Sequence, residues 1–171
     1  EQGHIIDDTI VYCLAPDEFL LVPNAATTGR IADWLASQIS DFDATLEDRS
    51  TELACIALQG PDAPRLLEMH LALAVEPFSL ARQGELIVSG TGYTGEPGCE
   101  FILPVDKALP LWEALLALGE DTQVTIMTDD INGSVVEACI AAMGEGRRPA
   151  LQCFPPRASL SESEWAERWA S

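Results

Sequence analysis

Thr91-Gly92-Tyr93-Thr94-Gly95-Glu96-Pro97-Gly98-Cys99-Glu100 lies between two apolar runs, Glu85-Leu86-Ile87-Val88 and Phe101-Ile102-Leu103-Pro104. The runs read as strands, so the stretch between them is a strand connection with unusual backbone demands. Glycine supplies positive φ and close backbone approach, both useful where a ligand must lie against the main chain. A tyrosine and a carboxylate fixed near such glycines can stack on and hydrogen-bond a flat polar ring. The glycines themselves read as necessities of the turn rather than as ligand contacts.

Outward from this stretch, further strands are expected at 77–81, 85–91 and 99–103. Helices are expected at 62–72, opened by Gly60-Pro61-Asp62, and at 106–118, where Leu109, Leu111, Trp112, Leu115 and Leu116 form the apolar side. Strands at 43–47 and 52–58 precede them. Near the start, strands at 4–14 and 19–23 flank a turn at Ala15-Pro16-Asp17-Glu18. Thr28 then reads as the N-cap of a helix over 29–39 carrying Ile31, Trp34, Leu35 and Ile39. Hairpins interspersed with helices imply an α+β fold of mainly antiparallel sheet with helices packed on one face, ferredoxin-like in its second half. The chain divides into 1–42, 43–118 and a divergent tail, 119–171. The tail holds breaker-rich runs at 144–149 and 154–157. It ends in a helix start at Ser161 and Glu164, whose Trp165 and Trp169 share a face that serves either as a dock or as a binding stripe.

The central stretch is similar to the T-G-Y-T-G-E-x-G-x-E motif of the glycine-cleavage T-protein family, the tetrahydrofolate-dependent aminomethyltransferases. Three more segments resemble the family in the same order. They are Gly3-His4-Ile5-Ile6-Asp7-Asp8-Thr9-Ile10-Val11-Tyr12, Leu21-Val22-Pro23-Asn24-Ala25-Ala26 and Ala57-Leu58-Gln59-Gly60-Pro61. The resemblance implies a T-protein-like folate-binding fold, with 1–42 as the remnant of its first folate-binding subdomain. It also implies transfer of an aminomethyl-derived one-carbon unit from lipoylated H-protein to tetrahydrofolate, with release of ammonia. The alternative is a non-catalytic or truncated relative that keeps the fold and part of the folate pocket.

Asp7 and Asp8 are adjacent in a strand-like run, so one should be solvated and one should face inward; periodicity alone does not choose. The resemblance points to Asp8 as the catalytic carboxylate, beside the reactive N5 of the pterin, where it would orient the amine and favour positive charge developing there. It also implies that Tyr12, Asn24, Tyr93 and Glu100 bind the folate. Asn24 has donor and acceptor groups for a pterin edge, but reads equally well as a turn residue opening the following helix. Glu100 can accept two hydrogen bonds from adjacent ring N–H groups. After the 106–118 helix the pattern departs from the family. Aligning Glu137-Ala138 puts Ile131, flanked by Asp129 and Asp130, where the family carries an arginine for the folate tail. An isoleucine cannot pair a carboxylate, and the aspartates would repel one. The missing initiator methionine suggests a fragment or a processed chain, and a truncated gene or a shifted reading frame would account for the divergent tail.

With 9 basic and 28 acidic residues, the net charge of the chain is −19. That charge repels nucleic acid and anionic membrane, so neither is expected as a partner. Five cysteines without a C-x-x-C pair, and only His4 and His70, argue against a metal site. They fit reduced thiols in a cytoplasmic location, with Cys13, Cys55 and Cys99 as small core residues. No transmembrane run or secretory signal is visible.

Overall fold

The computed structural model describes residues 3–119 and 125–129. They fall into two compact units, with the chain passing from one to the other between Arg49 and Ser50. The expected arginine replacement at Ile131, the breaker-rich runs, and the Trp165–Trp169 face all lie outside the described residues.

The first unit is a hairpin followed by a helix. Strand β1, Ile10–Ala15, pairs antiparallel with β2, Glu18–Val22, from Ile10 opposite Val22 to Ala15 opposite Glu18. Tyr12 is the buried position of β1. The strand is shorter than the expected 4–14, because β2 has no residue beyond Val22 to pair with the chain ahead of Ile10. Residues 3–9 form no regular element, and Ile5 is 87% exposed. Helix α1, Thr28–Gln38, starts one residue earlier than expected. Its N-cap is Thr27, whose hydroxyl caps no helix N–H because it is used elsewhere. Ile31 is buried beneath the helix, and a 3-10 turn, Ile39–Asp41, ends it. The strand expected at 43–47 does not form. Its largest apolar side chain, Leu46, is 44% exposed, and the segment pairs with no strand.

The second unit contains β3, Leu53–Gln59; α2, Ala63–Leu71; β4, Leu80–Gln83; β5, Leu86–Ser89; β6, Gly98–Pro104; α3, Val105–Gly119; and β7, Thr125–Asp129. The sheet order is β4-β5-β6-β3-β7, with every neighbouring pair antiparallel. Without β4 this is the split βαββαβ arrangement, so the ferredoxin-like expectation holds with one strand added at the edge. The sheet also continues past residue 118 into β7.

Strand alternation sorts the side chains onto two faces. Ala54, Ile56, Leu58, Val88, Cys99, Phe101 and Leu103 meet Leu66 and Leu67 of α2 and Trp112, Leu115 and Leu116 of α3 in one core. Trp112 and Phe101 are the largest fully buried side chains, and truncating Phe101 to alanine should cost about 3–5 kcal/mol. The opposite face carries Ala57, Gln59, Ser89 and Glu100. Ala57 and Ser89 both stand across from Glu100 in the ladder, and Gln59 stands across from Gly98.

Candidate functional site

In the hairpin unit the strand alternation invoked for Asp7 and Asp8 does not apply, because neither lies in a strand. They are separated by the chain that follows β2. The Asp7 carboxylate accepts the backbone N–H of Asn24 at 2.9 Å, the Asn24 side-chain amide, the Thr27 hydroxyl and the backbone N–H of Asp8 at 2.9 Å. Burial works to raise its pKa, but these donors outweigh it and hold Asp7 below the ordinary value of 3.8. Asp7 is half-buried, whereas Asp8 is exposed. The same Asn24 amide lies 3.2 Å from Asp8 Oδ1 and 3.3 Å from the Asp8 carbonyl.

Asn24 therefore organises this loop. Its carbonyl accepts the Thr27 N–H at 2.9 Å and the Thr28 hydroxyl at 3.1 Å, which turns the chain into α1. Of the two readings of Asn24, the turn-opening one describes these bonds. The Thr27 hydroxyl has one proton and two acceptors in reach, Asp7 and the Asn24 carbonyl at 3.0 Å; the anionic oxygen is the stronger acceptor. Tyr12 is 7% exposed on β1, opposite Leu20.

In the sheet unit Tyr93 lies in the turn between β5 and β6, and Glu100 follows it on β6. Tyr93 is 72% exposed, and Glu100 is half-buried on β6. The Thr91 hydroxyl donates to Glu100 Oε2 and lies 2.9 Å from the Ser89 hydroxyl. With its proton committed to the carboxylate, Thr91 accepts from Ser89, so the chain of donors runs Ser89 to Thr91 to Glu100. Ser89 is 1% exposed and Thr91 9%. This buried pair fixes one carboxylate oxygen of Glu100.

Two glycines of the turn are sterically required. A Cβ on Gly92 would lie 2.0 Å from Gln59 Oε1, and one on Gly98 would lie 2.1 Å from the Leu58 carbonyl oxygen. Gly95 has φ +73° in open space. Sequence reasoning assigned no role to Gln59 or Thr91. Gln59 is 1% exposed, and the available signal was a polar residue closing the otherwise apolar run Leu53–Leu58.

The cysteines divide. Cys99 is fully buried, and burial, with the charge of Glu100 adding to it, pushes its thiol up to about 12. Cys55 is half-buried. Cys13 is exposed and donates to the Ala15 carbonyl at 3.3 Å, which corrects its assignment to the core: on β1 it points to the side opposite Tyr12. Among the described residues no three metal-ligating side chains gather, and no helix is long and apolar enough to cross a membrane.

Residues 1–130 match the family model described as the GCVT N-terminal domain. The chain is 40% identical over 132 residues to an aminomethyltransferase of Pelodictyon phaeoclathratiforme, covering 72% of this chain and 36% of that protein. It is 43% identical over 127 residues to a probable aminomethyltransferase of Haloarcula marismortui, covering 67% and 35% respectively. An aminomethyltransferase of Geobacillus thermodenitrificans is 42% identical over 133 residues, covering 72% and 36%. The chain thus spans about a third of the length of the curated relatives it matches. The motif bearing Tyr93 and Glu100, the Asp7–Asp8 loop and the antiparallel α+β sheet all fall within the matched region, and the chain belongs to the GCVT N-terminal domain family.

Proposed function

We propose that this chain binds tetrahydrofolate as a substrate and serves an aminomethyltransferase of the glycine-cleavage type. The observation that carries the reading is the half-buried Glu100 carboxylate, aimed by Thr91 at the end of the turn that holds the exposed Tyr93 ring. A carboxylate held in this way suits the adjacent N–H donors of an aminopyrimidine, and an exposed aromatic side chain suits stacking. The candidates Tyr93 and Glu100 lie in the sheet unit, and the candidates Asp8, Asn24 and Tyr12 lie in the hairpin unit. Asp8 is the candidate catalytic group, because a solvent-facing carboxylate favours positive charge developing on an attacking amine. No covalent nucleophile is called for; the protein's share is orientation and electrostatics. The one-carbon unit would come from lipoylated H-protein, with ammonia released.

Tetrahydrofolate should quench the intrinsic fluorescence of the chain and give heat in calorimetric titration, and Glu100→Ala should abolish both. No heat at millimolar ligand would overturn the binding reading. The second reading is a relative that keeps the fold and part of the folate pocket without catalysing transfer. Ammonia release from aminomethylated H-protein separates the two.

A further inference from the structure

We infer that Gln59 is a positioning residue that clamps the turn between β5 and β6, and through it sets Tyr93 and Glu100 for their ligand. The inference rests on the folate-binding reading above and extends it to the buried side chain of Gln59.

The orientation of the Gln59 amide follows from its neighbours. Its Nε2 lies 3.2 Å from the Thr91 carbonyl and 3.3 Å from the Cys99 carbonyl, groups that only accept. Its Oε1 accepts the Thr94 hydroxyl at 3.1 Å. The reversed amide would set an oxygen against two carbonyl oxygens, so a single orientation satisfies the site. One side chain thereby ties together both ends of the turn, at Thr91 and Cys99, and its middle, at Thr94. The next residue adds a fourth tie, with the Gly60 N–H donating to the Pro97 carbonyl at 2.8 Å.

The turn needs such a clamp because it has no apolar anchor of its own. Residues 92–97 are all exposed, and Gly92 and Gly95 lower the cost of alternative backbone conformations. Thr91 and Cys99, the residues that Gln59 holds, are the immediate neighbours of the turn and of Glu100. Thr91 is also the residue whose hydroxyl orients Glu100. A shift at the Thr91 carbonyl therefore reaches Glu100 through one covalent residue and one hydrogen bond. Thr94 extends the clamp outward, since its hydroxyl also accepts the Glu96 N–H at 3.1 Å.

Gln59→Met keeps the length and volume of the side chain while removing the amide, and Thr94→Val removes only the outer bond. Tetrahydrofolate is titrated calorimetrically into the full chain and both variants, and amide hydrogen exchange is followed over residues 91–98. Gln59→Met should weaken binding about tenfold or more and speed exchange in the turn, while the central amides of β3 and β6 stay protected. Thr94→Val should weaken binding about threefold and speed exchange at Glu96. Gln59→Met that binds within about twofold of the parent, or leaves turn exchange unchanged, overturns the clamp. If Gln59→Met does not fold, Thr94→Val decides alone: parental affinity with unchanged exchange at Glu96 overturns it. A parent chain that binds no tetrahydrofolate removes the proposed function, and the exchange arm then tests the clamp by itself.

Discussion

The carboxylate of Asp7 accepts both the main-chain and the side-chain N–H of Asn24, 17 residues away in the chain. This double bond across the loop fixes where the amide of Asn24 points, and that amide in turn lies 3.2 Å from Asp8 Oδ1. The two aspartates thus have separate tasks: Asp7 holds the loop together, and Asp8 meets solvent.

Asp7→Asn should lose about 1 kcal/mol of stability at neutral pH, a partly exposed network being worth less than a buried one. The sign of the pH effect follows from the lowered pKa. The native carboxylate is held below 3.8, so its stabilisation is complete above that value and is lost as pH falls through the native pKa. Thermal melts of parent and variant at pH 7 and about pH 3 should therefore converge at the acid end. A gap that stays constant with pH would show that the charge of Asp7 plays no part.

Asp8→Asn should behave in the opposite way. The side chain is exposed, and an asparagine can still accept from the Asn24 amide, so stability should stay within about 0.5 kcal/mol of the parent. Tetrahydrofolate affinity should fall about tenfold through loss of a charged hydrogen-bond partner. Unfolding curves measured beside calorimetry separate the two effects, and a variant that loses stability but keeps affinity would reverse the assignment.

Gly92 and Gly95 stand three residues apart in one turn and should respond to alanine for different reasons. Gly92→Ala forces a Cβ into contact with Gln59 and should cost about 2–3 kcal/mol. Gly95→Ala meets open space but keeps φ at +73°, for about 1 kcal/mol. Urea midpoints order the two variants, and equal shifts would mean that Gln59 can move aside.

The sheet unit was largely legible in the sequence, because the apolar runs of β3 and β6 are bounded by glycine and proline turn signals, at Gly60-Pro61 and Pro97-Gly98. What misled was apolar sequence without a partner strand. Ile5 and Ile6 extended the first strand by pattern, yet the pairing stops at Ile10 opposite Val22. Leu46 sat in the strand expected at 43–47 and lies exposed instead. The candidate site divided in the same way. The motif named Tyr93 and Glu100, which stand at the chain's surface chemistry. Asp7, Gln59 and Thr91 act through bonds to residues 17, 32 and 9 positions distant, a tertiary property no local pattern encodes.

Cys99 and Cys13 give a test of the register that needs no ligand. On β6 the alternation that turns Glu100 to one face turns Cys99 into the helix-covered core, where it is 0% exposed and its thiol is pushed up to about 12. The thiolate is the reactive form, so both access and ionisation protect Cys99 in the native chain. Cys13 sits on the open side of β1 and should react with a maleimide at neutral pH well before Cys99. Peptide mapping after a short pulse should find the label on Cys13, and on Cys99 only after denaturation. Rapid native labelling of Cys99 would mean that β6 is one residue out of register. Glu100 would then face the core, and its bond to Thr91 could not form.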